Sequence, residues 1–119
     1  MSKFTHSQSF EKLATGRQAR AERVAVALGF CRQSFQDLTP TKQASATIAH
    51  HKSGIDVLVS YKTAVAYRLT DGSFVQTPRN QFSRTTDRSV ADFVRGQAVT
   101  LEVDAFRDAL ARHLTGGTP

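Results

Sequence analysis

Cysteine is nearly missing from this chain: Cys31 is the only one among 119 residues. A single thiol excludes an internal disulfide and any zinc cluster built from cysteines, as expected of a protein in a reducing compartment. Cys31 itself stands between Phe30 and Arg32. It reads as a small packed hydrophobe, because cysteine is among the most buried residue types and no base is identifiable that would generate its thiolate. Long apolar runs are also lacking. Stretches such as Val24 to Leu28 and Val57 to Val59 fall far short of the roughly 20 residues that cross a bilayer. The opening Met1-Ser2-Lys3-Phe4-Thr5-His6 is polar, without the apolar stretch and cleavage site of a secretory signal. The expected location is therefore the cytoplasm, with no membrane partner. Repeats and low-complexity tracts are absent as well. So are the phosphate-loop, nucleophile-elbow, zinc-protease and paired-cysteine motifs. These absences argue for a binding module over an enzyme; an enzyme whose residues converge from distant positions is the third reading.

What remains is enough to fold. A hydrophobic fraction of 39% with eight Phe supplies a core, and a charged fraction of 22% is ordinary for a globular protein. The length suits one domain spanning 1–119, ordered from about Ser7 to Leu114, with Thr115-Gly116-Gly117-Thr118-Pro119 as a frayed end. Sixteen Lys and Arg against ten Asp and Glu leave a net charge of +6 and a pI near 10.1. That balance favours an acidic partner, either nucleic acid or an acidic protein surface. A charge of this size also does no more than keep a small domain soluble.

Periodicity divides the chain into an α+β order. Phe10, Leu13, Ala14, Ala21, Val24, Ala25 and Leu28 recur at helical spacing before Gly29, which predicts an N-terminal helix, whole or broken at Thr15-Gly16 and Arg17. Ile55, Val57 and Val59 alternate with Asp56, Leu58 and Ser60, which predicts a strand. Ala64 to Leu69 predicts a second, and Thr70-Asp71-Gly72 turns into a third at Ser73 to Thr77. Ala44 to Ala49 reads as a further strand, with a short helix begun at Thr39-Pro40 as the alternative. The result is an antiparallel meander of three to four strands. Thr85 or Thr86 is expected to cap a helix carrying Val90, Phe93 and Val94 and closed by Gly96. A strand at Val99, Leu101 and Val103 follows, then a C-terminal helix capped by Asp104, with Phe106, Ala109, Leu110 and Leu114 on one face.

The run Leu58-Val59-Ser60-Tyr61-Lys62-Thr63-Ala64-Val65-Ala66, the turn Asp71-Gly72, and Phe82-Ser83-Arg84-Thr85-Thr86-Asp87-Arg88 with Phe93 after it resemble a phage- and plasmid-borne family of small uncharacterised proteins. The similarity covers residues 55 to 94. It carries no activity. Members often have a His where this chain has Ser89, so a role for that His does not transfer. The resemblance implies a mobile-element origin, where small proteins commonly regulate genes, bind nucleic acid or block host defences.

The densest local chemistry is Arg79 to Arg88, where Arg79, Arg84 and Arg88 join Thr85 and Thr86 at a helix start. Free amides, hydroxyls and arginines are the groups that hold phosphate. The plainer reading makes one Thr a cap and leaves the arginines in solvent. Lys12, Arg20 and Arg23 form a secondary basic face on the N-terminal helix, partly balanced by Glu11 and Glu22. Such side chains would touch phosphates without reading bases. Phe74, Phe82 and Tyr67 could serve as stacking platforms, though aromatics at strand spacing more often build a core. No metal site or cofactor is expected, because neighbouring residues on a strand point to opposite faces and His50-His51 could not share one ion. Two functions stay open: a nucleic-acid-associated module, or a protein-binding inhibitor or adaptor that meets an acidic host surface through the same arginines.

Overall fold

A computed structural model of the protein describes residues 16, 18–29 and 34–116. His6, Phe10, Lys12, Leu13, Ala14, Thr15, Arg17 and Cys31, with the expectations placed on them, lie outside the described residues. The helical residues 18–27 (α1) lead into a sheet of β1 (Phe35–Pro40), β2 (Ala46–His51), β3 (Asp56–Ser60), β4 (Thr63–Arg68) and β5 (Phe74–Gln76). Then come α2 (Arg84–Phe93), β6 (Ala98–Thr100) and α3 (Val103–Thr115). The six strands lie in sequence order, antiparallel except for the parallel pair β5 and β6. That pair requires a crossover, which α2 supplies.

The α+β class stands, but the sheet has six strands where periodicity predicts a meander of three to four. β1 is the strand without a pattern to announce it. Its sequence Phe-Gln-Asp-Leu-Thr-Pro is largely exposed, and an edge strand needs neither continuous hydrophobicity nor a donor at its last residue, so Pro40 is tolerated there. The segment read as strand at Ala44 to Ala49 is β2, shifted to Ala46–His51. Gly72 has a φ of +91° in the turn between β4 and β5, where a side chain would be strained.

Alternation along the strands sends side chains to two faces. On the first, Ala49, Val57, Val59, Tyr67 and Val75 meet Val24 of α1, Leu28 in the turn after it, and Phe106, Leu110 and Leu114 of α3. Phe106 is fully buried, and its ring lies 5.2 Å from that of Tyr67. Burying such a side chain contributes about 1.5–3 kcal/mol. On the second face Ala46, Leu58, Val65 and Ala66 meet Val90 of α2, with Ile48, Phe93 and Val94 around them. A bulge at Leu58/Val59 turns both Val65 and Ala66 toward α2. β3 is buried on both sides, which explains its unbroken Val-Leu-Val run.

Three helix boundaries differ from expectation. Ser83 caps α2, its Oγ accepting from the Thr86 amide at 3.2 Å, so neither Thr85 nor Thr86 is the cap. Thr86 sits in the first turn on the buried side, where its hydroxyl meets β3. α2 ends at Phe93 with Val94 as C-cap, and Gly96, with φ +94°, turns the chain toward β6 afterwards. Glu102, without a side-chain cap bond, precedes α3, leaving Asp104 in the first turn, where a carboxylate favours the helix dipole.

Candidate functional site

The second face is only partly covered by α2, and what it leaves open is polar and basic. Arg84 and Arg88 stand one helical turn apart, so their side chains share a face of α2. Both are exposed, as are Thr85, Arg79 on the preceding loop and Arg95 just past the helix. Among the described residues none of these arginines has a carboxylate in ion-pair range; His50 and Arg68 are the paired cations, both with Asp56.

At the helix start one first-turn amide, that of Thr86, is capped by a side chain. Ser83 accepts from the Thr86 amide through Oγ, and from the Asp87 amide through its carbonyl at 3.0 Å. The Asp87 carboxylate in turn accepts the Asn80 amide at 3.2 and 3.3 Å, with Asn80 at φ +63°. Thr86 is withdrawn from the surface: it is 3% exposed, and its hydroxyl lies 2.8 Å from Ser60 Oγ on β3. Of the residues expected to form one phosphate cradle, Arg84, Thr85 and Arg88 are together at the surface. Arg79 is exposed on the approaching loop, and Thr86 belongs to the interior.

The N-terminal basic face has a different use. Arg20 donates to the Ala46 carbonyl and, at 3.1 Å, to Thr47 Oγ1, while Arg23 donates to the Ala44 carbonyl at 2.8 Å. Burial, and then the neighbouring Arg23, hold the Arg20 guanidinium below its ordinary range. These two arginines tie α1 to the start of β2 on the first face, opposite α2. The aromatics divide as well. Tyr67 is core, its hydroxyl pushed above the ordinary range by burial despite Arg112 nearby. Phe74 meets Phe93 edge-on at 5.5 Å, and Phe82 is exposed.

Sequence reasoning misses a polar row across the second face. Phe74, Arg68, Asp56 and His50 are successive cross-strand partners on β5, β4, β3 and β2. His50 Nδ1 lies 2.7 Å from Asp56 Oδ1, and its Nε2 lies 2.6 Å from Thr39 Oγ1 on β1. Arg68 Nη1 donates to Asp56 Oδ2 at 3.4 Å. The arrangement of carboxylate, imidazole and hydroxyl is that of an oriented base. On the same side of the sheet, a cleft of about 360 Å³ lies between α2 and the β1–β2 connection, with Ile48 and Phe93 among its walls and Lys42, Gln43, Asp92 and Arg95 around it.

His51 points the other way, as alternation requires. It packs edge-on against Phe35 and accepts the Ser53 amide at Nδ1, 3.1 Å away. Burial, and then Lys52, push its pKa below the usual 6.5 against the opposing pull of the Leu114 carbonyl. The two histidines therefore cannot share a ligand. Among the described residues no group of three or more His, Cys, Asp or Glu is placed to hold a metal ion, and no helix is long and apolar enough to cross a membrane.

Neither a curated protein nor a solved structure matches this sequence. A family model does match, over residues 34–106, a span that contains the whole sheet, α2 and the start of α3. The chain thus belongs to the family of unknown function DUF8033.

Proposed function

We propose that the chain is a nucleic-acid-binding module that holds phosphate groups along the exposed face of α2. The observation that carries this reading is the ridge of Arg84, Arg88 and Arg95, exposed and without a carboxylate partner among the described residues. Like charges one turn apart cost a few tenths of a kcal/mol in a helix, and Asp87 and Asp92, three and four positions on from Arg84 and Arg88, offset that cost only through solvent, since neither is in ion-pair range. A polyanion does so directly, because each arginine exchanges a solvated charge for a charge-assisted, often bidentate bond to phosphate. The basic balance of +6 supports the same reading through long-range attraction.

The side chains, more than the helix-start amides, are the binding elements, since the Asp87 carboxylate in the first turn disfavours a second anion at that end of α2. Phosphate contacts of this kind position a strand without reading its sequence. Binding is therefore weak, indifferent to sequence and steeply salt-dependent. A mobile-element origin, which the family resemblance implies, suits a small protein of this type. The test is a fluorescence anisotropy titration of labelled single- and double-stranded oligonucleotides at low ionic strength. Saturable binding that fades with added salt is expected. No binding at low salt would remove nucleic acid as the partner and leave an acidic protein surface for the ridge.

A further inference from the structure

We infer that His50 is the general base of a side-chain-only RNA-cleaving site, a reading that rests on nucleic-acid binding by the α2 ridge and names RNA as its substrate. The imidazole is held at both nitrogens: Asp56 takes Nδ1 at 2.7 Å, and Nε2 is 2.6 Å from a hydroxyl, that of Thr39. With Nδ1–H donated to the carboxylate, Nε2 carries the lone pair and accepts from a hydroxyl. Thr39 is exposed. An incoming ribose 2′-hydroxyl replaces it without opening the core and meets the same lone pair. Arg68 is half-exposed and has one nitrogen 3.4 Å from Asp56. Its remaining donors are free to face a phosphate held beside His50.

The site is on the route of a bound strand. The ring of Phe93, at the end of α2, touches Phe74, which begins the row running through Arg68 and Asp56 to His50. At a strand spacing of 4.7–4.9 Å that row is about 14 Å long. Arg95 and Lys42, with Asp92, line the cleft beside α2, and its wall residue Ile48 is two positions before His50 on the same face of β2. A backbone tracked by Arg84, Arg88 and Arg95 continues over basic side chains to the imidazole.

The step balances with these groups alone. His50 Nε2 removes the proton of the 2′-hydroxyl, and the 2′ oxygen attacks the adjacent phosphorus. The O2′–P bond forms as the P–O5′ bond breaks, with Arg68 stabilising the negative charge that builds on the phosphoryl oxygens. The departing 5′ oxygen takes the proton back from the His50 imidazolium, directly or through one water. The products are a 2′,3′-cyclic phosphate and a 5′-hydroxyl. DNA, lacking the attacking oxygen, is bound and not cut. Asp56 is a positioning residue that fixes the ring; Thr39 only occupies the place that the 2′-hydroxyl takes.

The experiment incubates the full chain with a labelled oligoribonucleotide, and with its deoxy counterpart, in a chelator. RNA fragments ending in cyclic phosphate and intact DNA are expected. His50→Gln should cut slower by a factor on the order of 10² or more, with RNA affinity and melting temperature unchanged, and Asp56→Asn should lower kcat at constant KM. A 2′-deoxy nucleotide at the cut position should block cleavage. RNA bound at the ridge and left whole, or cut equally by His50→Gln, overturns this inference while the binding reading stands. RNA that is not bound at all overturns both.

Discussion

The two faces of one sheet are covered to different extents: two helices pack on the first and one on the second. The first is packed: α1 and α3 bury Tyr67, Phe106, Leu110 and Leu114, and the arginines of α1, Arg20 and Arg23, are committed to backbone carbonyls at and just before the start of β2, while Arg107 and Arg112 stay in solvent on α3. The second is covered by a single helix, whose outer side carries Arg84 and Arg88 with Asp92 and whose neighbouring strands carry Arg68, Asp56 and His50. An antiparallel sheet can leave one side facing water when the other is packed on a core. The second side is then free to carry charge, and the features with chemistry collect there.

The comparison breaks most severely at Phe106. Phe106→Ala should cost about 3–5 kcal/mol, since a fully buried ring leaves a cavity that the sheet cannot close. Urea denaturation gives the value. A loss below about 1 kcal/mol would mean that the first face does not hold the fold. Next is the hydroxyl pair joining the second face to α2. Thr86→Val keeps the shape but strands the buried Ser60 hydroxyl, at about 1–3 kcal/mol. Combining it with Ser60→Ala should restore most of that stability, because both polar partners are then gone. A double variant no more stable than Thr86→Val would refute the pairing. Ser83→Ala, which removes the cap of α2, should cost about 0.5–2 kcal/mol in the same assay.

A smaller effect is a pH dependence confined to the first face. Folded His51 resists protonation below the 6.5 at which the unfolded chain takes up its proton. The unfolded state then binds more protons, so this group lowers stability as pH falls from about 6.5 toward the depressed folded value, and contributes nothing above it. Chemical denaturation between about pH 7.5 and 5.5 should show the decline, and His51→Phe should flatten it. An unchanged slope in that variant would assign the decline elsewhere. The smallest effect on stability is that of Arg84→Ala with Arg88→Ala, expected within about 0.5 kcal/mol of the parent by the same method.

Much of the first face is readable from the chain because helical periodicity and β-branched alternation report burial, and burial is what that face consists of. The α3 stripe of Phe106, Leu110 and Leu114 is an instance. The arginines of α2 are readable too, as a local run. The row of Thr39, His50 and Asp56 is not, because it joins three strands and depends on register. His50 meets Asp56 only once the β2–β3 pairing is set, and meets Thr39 only through β1, an exposed edge strand with no apolar signature. In the sequence the adjacent His51 is the conspicuous neighbour, whereas the informative partner of His50 lies across a hairpin at Asp56. The cap of α2 is ambiguous for a related reason: Ser83, Thr85 and Thr86 are all good capping residues, and only the contact with Ser60 separates the buried one from the cap.

Phosphate binding by the arginine ridge of α2 is tested most directly by the salt dependence of affinity for a labelled single-stranded RNA, parent against the Arg84→Ala, Arg88→Ala double variant. The parent's log K should fall linearly with log salt concentration. The double variant, equally stable, should bind more weakly by about 1–3 kcal/mol at low salt. Its slope should be shallower by about 0.7 for each phosphate that an arginine no longer neutralises. Equal affinity and an equal slope in a folded double variant would contradict the account.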